Sequence, residues 1–84
     1  MAKAVVLELD KIGIEFQDGR TETRSMKAMP VTVPRGEIRI AKNLATEGAK
    51  VIVFRYKSGR IYARTAKGAK ANTAMSRYLA QKLS

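Results

Sequence analysis

Asp18-Gly19 and Ser58-Gly59 each separate two runs in which apolar and polar side chains alternate. Glycine enters positive φ without steric cost, and successive strand side chains point to opposite faces. Alternating runs on both sides of such a dipeptide predict an antiparallel hairpin. Two hairpins in one short chain leave few options: a sheet must form, and something must cover it.

The first hairpin is expected over residues 12–17 and 20–26, with Ile12, Ile14 and Phe16 sharing a face. A two-residue turn at Asp18-Gly19 sets Glu15 opposite Glu22, a small like-charge penalty. Lys3 to Leu9 reads as a preceding strand, since Val5, Leu7 and Leu9 alternate with Val6 and Glu8. The second hairpin spans 50–56 and 60–66. A two-residue turn at Ser58-Gly59 pairs Lys57 with Arg60, Tyr56 with Ile61, Arg55 with Tyr62, Phe54 with Ala63 and Val53 with Arg64. One face then carries Ile52, Phe54, Tyr56, Ile61 and Ala63. The other carries Val53, Arg55, Lys57, Arg60, Tyr62 and Arg64.

Two helices complete the pattern. Pro34 suits a first helical turn, where its missing N–H is not needed. Ile38, Ala41, Leu44 and Ala45 then share a helical face, and Gly48 stands where a helix end favours glycine. Glu37 to Ala41 also fits a strand, because Ile38 and Ile40 alternate; the helix accounts for more of the segment. Ala71, Ala74, Met75, Tyr78, Leu79 and Leu83 recur at helical spacing over 71–83, with Asn72 or Thr73 to cap the start. The expected fold is a single α+β domain over residues 1–84. It has about five mostly antiparallel strands and two helices packed on one face of the sheet.

At 84 residues the chain can build one compact core and no deep cleft. Its longest apolar run near the N-terminus, Ala4 to Leu7, is too short for a secretory signal, and no run approaches the ~18 residues of a membrane span. A cytoplasmic, membrane-free protein is expected. Histidine and cysteine are both absent. The commonest general base, the strongest nucleophile and the usual zinc ligands are therefore missing. The glycines form no phosphate-loop or dinucleotide pattern. No enzyme activity, cofactor or metal site is expected.

Charge points to the function. The net charge is +10, and it is unevenly divided. Residues 1–48 hold eight basic residues and all seven acids, while residues 49–84 hold nine basic residues and no acid. Soluble surfaces ordinarily intersperse both signs. A long acid-free stretch predicts a docked anion, and nucleic acid, DNA or RNA, is the leading candidate. The proposed contacts are Arg55, Lys57, Arg60 and Arg64 on the polar hairpin face, with Tyr62 as a platform for base stacking. Lys67 and Lys70 flank glycine and alanine in the link to the last helix, and Arg77 extends the patch along it. The alternative is a small adaptor or inhibitor that docks an acidic protein surface, since the same cations would serve it. An exposed edge strand also offers a route to a homodimer.

Overall fold

The computed structural model describes residues 4–84, so the expected strand start at Lys3 lies outside the described residues. Four strands and two helices follow in the order β1 (Val5–Phe16), β2 (Thr21–Val33), α1 (Arg35–Ala45), β3 (Ala49–Tyr56), β4 (Ile61–Thr65) and α2 (Ala74–Leu83). The strands form one antiparallel sheet in the order β2-β1-β3-β4. The α+β class is as expected. The strand count is four rather than about five, because the segments expected at 3–9 and 12–17 are one continuous strand. A bulge between Leu9 and Lys11 joins them. Leu9 and Ile12 are both buried in the same cluster although three residues apart. In a regular strand that spacing would put them on opposite faces, and one extra residue restores the match.

The expectation that both helices share a face of the sheet is overturned. Ala41 and Leu44 of α1 pack with Ile12, Ile14, Ile52 and Phe54. Leu79 and Leu83 of α2 pack with Val53 on the other side. A side chain added at Gly13 would start 3.4 Å from Cβ of Leu79. Residues 12 and 13, and 53 and 54, point to opposite faces, so the helices sandwich the sheet. The cause is visible in β3, where Val51, Ile52, Val53 and Phe54 are all buried. A strand apolar at both parities needs cover on both faces.

Both hairpins differ from expectation by one residue of register, for the same reason. Each turn is a three-residue loop, Gln17–Gly19 or Lys57–Gly59, closed by a hydrogen bond from the Phe16 N–H to the Arg20 carbonyl (2.8 Å) or from Tyr56 to Arg60 (2.9 Å). Only the glycines take positive φ, +88° at Gly19 and +95° at Gly59, whereas a two-residue turn of the expected type would force Asp18 and Ser58 there as well. Glu15 therefore faces Thr21 and not Glu22. In the second hairpin Arg55 faces Ile61, Phe54 faces Tyr62, Val53 faces Ala63 and Ile52 faces Arg64.

The α1 helix starts as expected but ends at Ala45, with Gly48 in the turn beyond. Its buried stripe is Glu37, Ala41 and Leu44, so Glu37 occupies the place expected for Ile38, and Ala45 is exposed. The α2 helix begins at Ala74 rather than 71. Thr73 caps it, accepting from the Ser76 N–H while the Ser76 hydroxyl accepts from the Thr73 N–H. Tyr78, expected in the core, is about half exposed, with the Lys82 ammonium 5.5 Å above its ring. Neither helix is long and apolar enough to cross a membrane.

Candidate nucleic-acid interface

The one-residue shift redistributes the expected binding face. Tyr62 and Arg64 lie opposite Phe54 and Ile52, on the side covered by α1. Arg55 lies on the α2 side with Ile61 and Ala63. The basic side chains expected together on one polar surface are divided between two faces, and two of them are consumed by pairing.

Arg64 is the more deeply committed. Its side chain keeps only 11% of its exposure, and its Nε donates to Oε1 of the fully buried Glu37 at 2.8 Å. Its Nη1 donates to the Gly68 carbonyl at 2.8 Å. The Tyr56 hydroxyl donates to the other Glu37 oxygen at 2.5 Å. Burial first, and then this bond to a carboxylate, pushes the Tyr56 hydroxyl pKa well above its ordinary value. Four elements meet at this cluster: α1 supplies the acid, β3 the phenol, β4 the guanidinium and the β4–α2 loop a carbonyl. Among the described residues no buried side-chain polar atom lacks a partner, as a buried network requires. Glu37 was not anticipated as a site residue. The available signal was its position four residues before Ala41 and seven before Leu44, which places it on the stripe that faces the sheet.

Arg55 pairs with Asp10, the residue at the β1 bulge, and both side chains are about a quarter exposed. Tyr62 is not a free platform. Its ring meets that of Tyr56 edge-on, centroids 5.9 Å apart, and its hydroxyl accepts from Arg60 Nη1 at 3.0 Å. Arg55, Tyr62 and Arg64 are thus placed in structural contacts rather than on an open binding face.

The remaining expected residues, Lys57, Arg60, Lys67, Lys70 and Arg77, are exposed, and no ion pair among the described residues includes them. Lys50 and Lys82 share this status. The acid-free half therefore has two cations neutralised by acids of the other half and seven facing solvent. Four of the seven follow the outer edge of β4. Lys57 and Arg60 flank the hairpin tip; Lys70 bridges to Arg64 midway; Lys67 sits in the turn at the far end. Five strand residues separate the two ends, roughly 17 Å at strand rise. The backbone between them is held by bonds from Thr65 to Ala69 (2.8 Å) and from Ala71 to Ala63 (3.0 Å), which fix the lysine-bearing loop against the strand. A cationic rim at the sheet edge replaces the expected cationic face.

A second set of exposed cations lies on α1. Arg35, Arg39 and Lys42 recur at helical spacing on the side opposite Glu37, Ala41 and Leu44. The near-balanced charge of residues 1–48 concealed them, because four of the seven acids that offset them in the count are bonded elsewhere: Asp10 and Glu37 to the second half, Glu22 and Glu47 to Arg24. Comparison of the chain with protein-family models, with curated proteins and with solved structures returned no match.

Proposed function

We propose that this protein is a non-enzymatic nucleic-acid-binding module that engages the phosphate backbone through the rim of its second half. One observation carries the reading: nine cations and no acid over residues 49–84, with seven of the nine exposed and unpaired among the described residues. Lys57, Arg60, Lys67 and Lys70 neutralise phosphates along the β4 edge, and Arg77 adds a contact from α2. Arg64 and Arg55 hold the scaffold. Tyr62 keeps Arg60 in place through its hydroxyl and does not stack on a base. This mode is electrostatic, so it tracks the backbone and carries little sequence preference.

The test compares two variants with the same change in net charge. Lys67→Glu/Lys70→Glu alters the rim; Arg20→Glu/Lys27→Glu alters exposed cations near the opposite edge. Each is titrated with single- and double-stranded DNA and RNA of equal length at two salt concentrations. The rim variant is expected to lose at least tenfold more affinity. Equal losses would mean that binding follows net charge alone and that the rim is no site. Absence of binding to any nucleic acid at low salt, with retention of an acidic protein, would favour the adaptor reading instead.

A further inference from the structure

We propose that the groove between β2 and α1 is a separate contact that seats one unpaired base of a single strand, with Arg35 and Arg39 on the phosphates beside it. It rests on the nucleic-acid reading for the class of ligand, but uses a surface remote in sequence from the rim. The groove has a volume of about 450 Å³, within the ~300–1,000 Å³ of sites that take small organic groups. Met29, Pro30 and Ile40 line it with apolar atoms, and Arg35 and Arg39 bring the charge. Gly36 lines it too. A Cβ at that position would stand 2.8 Å from Cγ1 of Val31, so only glycine lets the helix lie this close to the strand.

Among the described residues neither arginine makes a side-chain hydrogen bond that would tie it to the fold. Both are exposed, and no ion pair among the described residues includes either. Four residues apart on one helix, they repel each other. Arg35 also stands in the first turn, where a cation opposes the helix dipole. Glu37, the acid nearest in sequence, is buried against Arg64 and Tyr56 and offsets neither. An external anion relieves both penalties. Guanidinium groups fit phosphate with two parallel hydrogen bonds and also stack on planar rings.

An acidic peptide is the competing occupant, and the strand beside the groove is ill-suited to it. A peptide adding along β2 needs the backbone donors of that edge. Pro30 has no N–H to offer, and positive φ at Lys27 (53°) and Ala28 (58°) interrupts the edge just before it. A base needs no such donors. It must, however, be free of a duplex stack, which makes a single strand the ligand. Gly68 packs against Ile38 on the same helix, its absent Cβ 2.9 Å from Cγ2 of Ile38, so the lysine-bearing loop and the groove flank one helix. A strand can reach both.

The experiment follows the methyl NMR signals of Met29 and Ile40 during titration with an oligothymidylate of about twelve nucleotides. An abasic oligomer with the same phosphates and a polyglutamate of equal charge serve as comparisons. The expected result is that oligothymidylate shifts both methyls and the other two polyanions do not. In parallel, Arg35→Gln/Arg39→Gln should lower affinity for oligothymidylate about tenfold at low salt. It should also flatten the slope of log K against log salt by about 1.4, the value for two phosphates released from a single strand. The proposal is overturned if the methyls stay still, if all three polyanions shift them equally, or if the double variant leaves the slope unchanged. Loss of binding in the rim variant with unmoved methyls removes the groove and leaves the rim. Loss in the arginine variant alone does the reverse. If oligothymidylate does not bind at all, both fall.

Discussion

An ionised carboxylate taken out of water costs several kcal/mol unless it is paired and its lone pairs are satisfied. Glu37 meets both conditions, with Arg64 on one oxygen and the Tyr56 hydroxyl on the other. Breaking such a pair from one side leaves the partner's charge buried alone. Glu37→Gln should therefore cost about 3–5 kcal/mol in urea unfolding. Replacing both partners, as in Glu37→Leu/Arg64→Met, should recover much of that loss, because no orphaned charge remains. If the double variant is as unstable as the single one, packing rather than charge pairing explains the effect. Tyr56 makes a separate prediction. Its folded pKa lies above the unfolded 10.0, so the folded state holds the phenolic proton more tightly. The stabilisation is complete below pH 10 and declines above it, by about 1.4 kcal/mol per pH unit for one proton. In unfolding measured from pH 8 to pH 11, Tyr56→Phe should be less stable at pH 8 and should lack this proton's share of the alkaline decline. An unchanged decline would mean that other groups cause it.

Among the elements, the hairpins explain what could be read from the chain and what could not. Alternation located β1, β3, β4 and the first half of β2, Pro34 and helical spacing located α1, and helical spacing located α2 with its start placed three residues early, at 71. The apolar set Ile12, Ile14 and Phe16 was legible because it does not depend on the turn. The binding face was not, because its membership depends on whether the turn has two residues or three. A single residue there moves Tyr62 from solvent to the Tyr56 ring and separates Arg55 from Arg64. The helix faces escaped for another reason: an uninterrupted apolar run from Val51 to Phe54 fits any strand, and only the packed sheet reveals that both its sides are covered. Gly59 tests the turn. Its φ of +95° is open to glycine, and an L-residue forced toward it loses about 1–2 kcal/mol. Gly59→Ala should show that loss in thermal unfolding, and Ser58→Ala should show little. Tyr62→Ala should likewise melt earlier than the parent, whereas an unpacked Tyr62 would leave the melting temperature alone. Leu79→Ala should cost about 2–5 kcal/mol if α2 covers the second face.

At the scale of the molecule, ionic strength should act on stability and on binding in opposite directions. The body measures 36 × 24 × 21 Å and carries a net charge of +10. At 0.01 M salt the screening length is about 30 Å, so charges repel across much of the fold; at 0.15 M it is about 8 Å, and only neighbours interact. The pairs Arg64–Glu37 and Arg55–Asp10 join groups in or near contact and lose little between these limits. Repulsion among the rim, α1 and α2 cations is long-ranged and is largely removed. The melting temperature of the free protein should therefore rise from 0.01 to 0.15 M salt. Affinity for nucleic acid should fall over the same range, with a slope in log–log form of roughly −3 to −5 for four to six phosphates, depending on the strand. A bound polyanion does at low salt what screening does at high salt, and it also stabilises by mass action. Adding an oligonucleotide should raise the melting temperature strongly at 0.01 M and weakly at 0.15 M. The same pair of measurements on Lys67→Glu/Lys70→Glu separates the two effects. That variant has a net charge lower by four, so its free form should depend less on salt, and its melting temperature should respond less to oligonucleotide. If the variant gains the same stabilisation from oligonucleotide as the parent, the polyanion binds elsewhere than on the β4 rim.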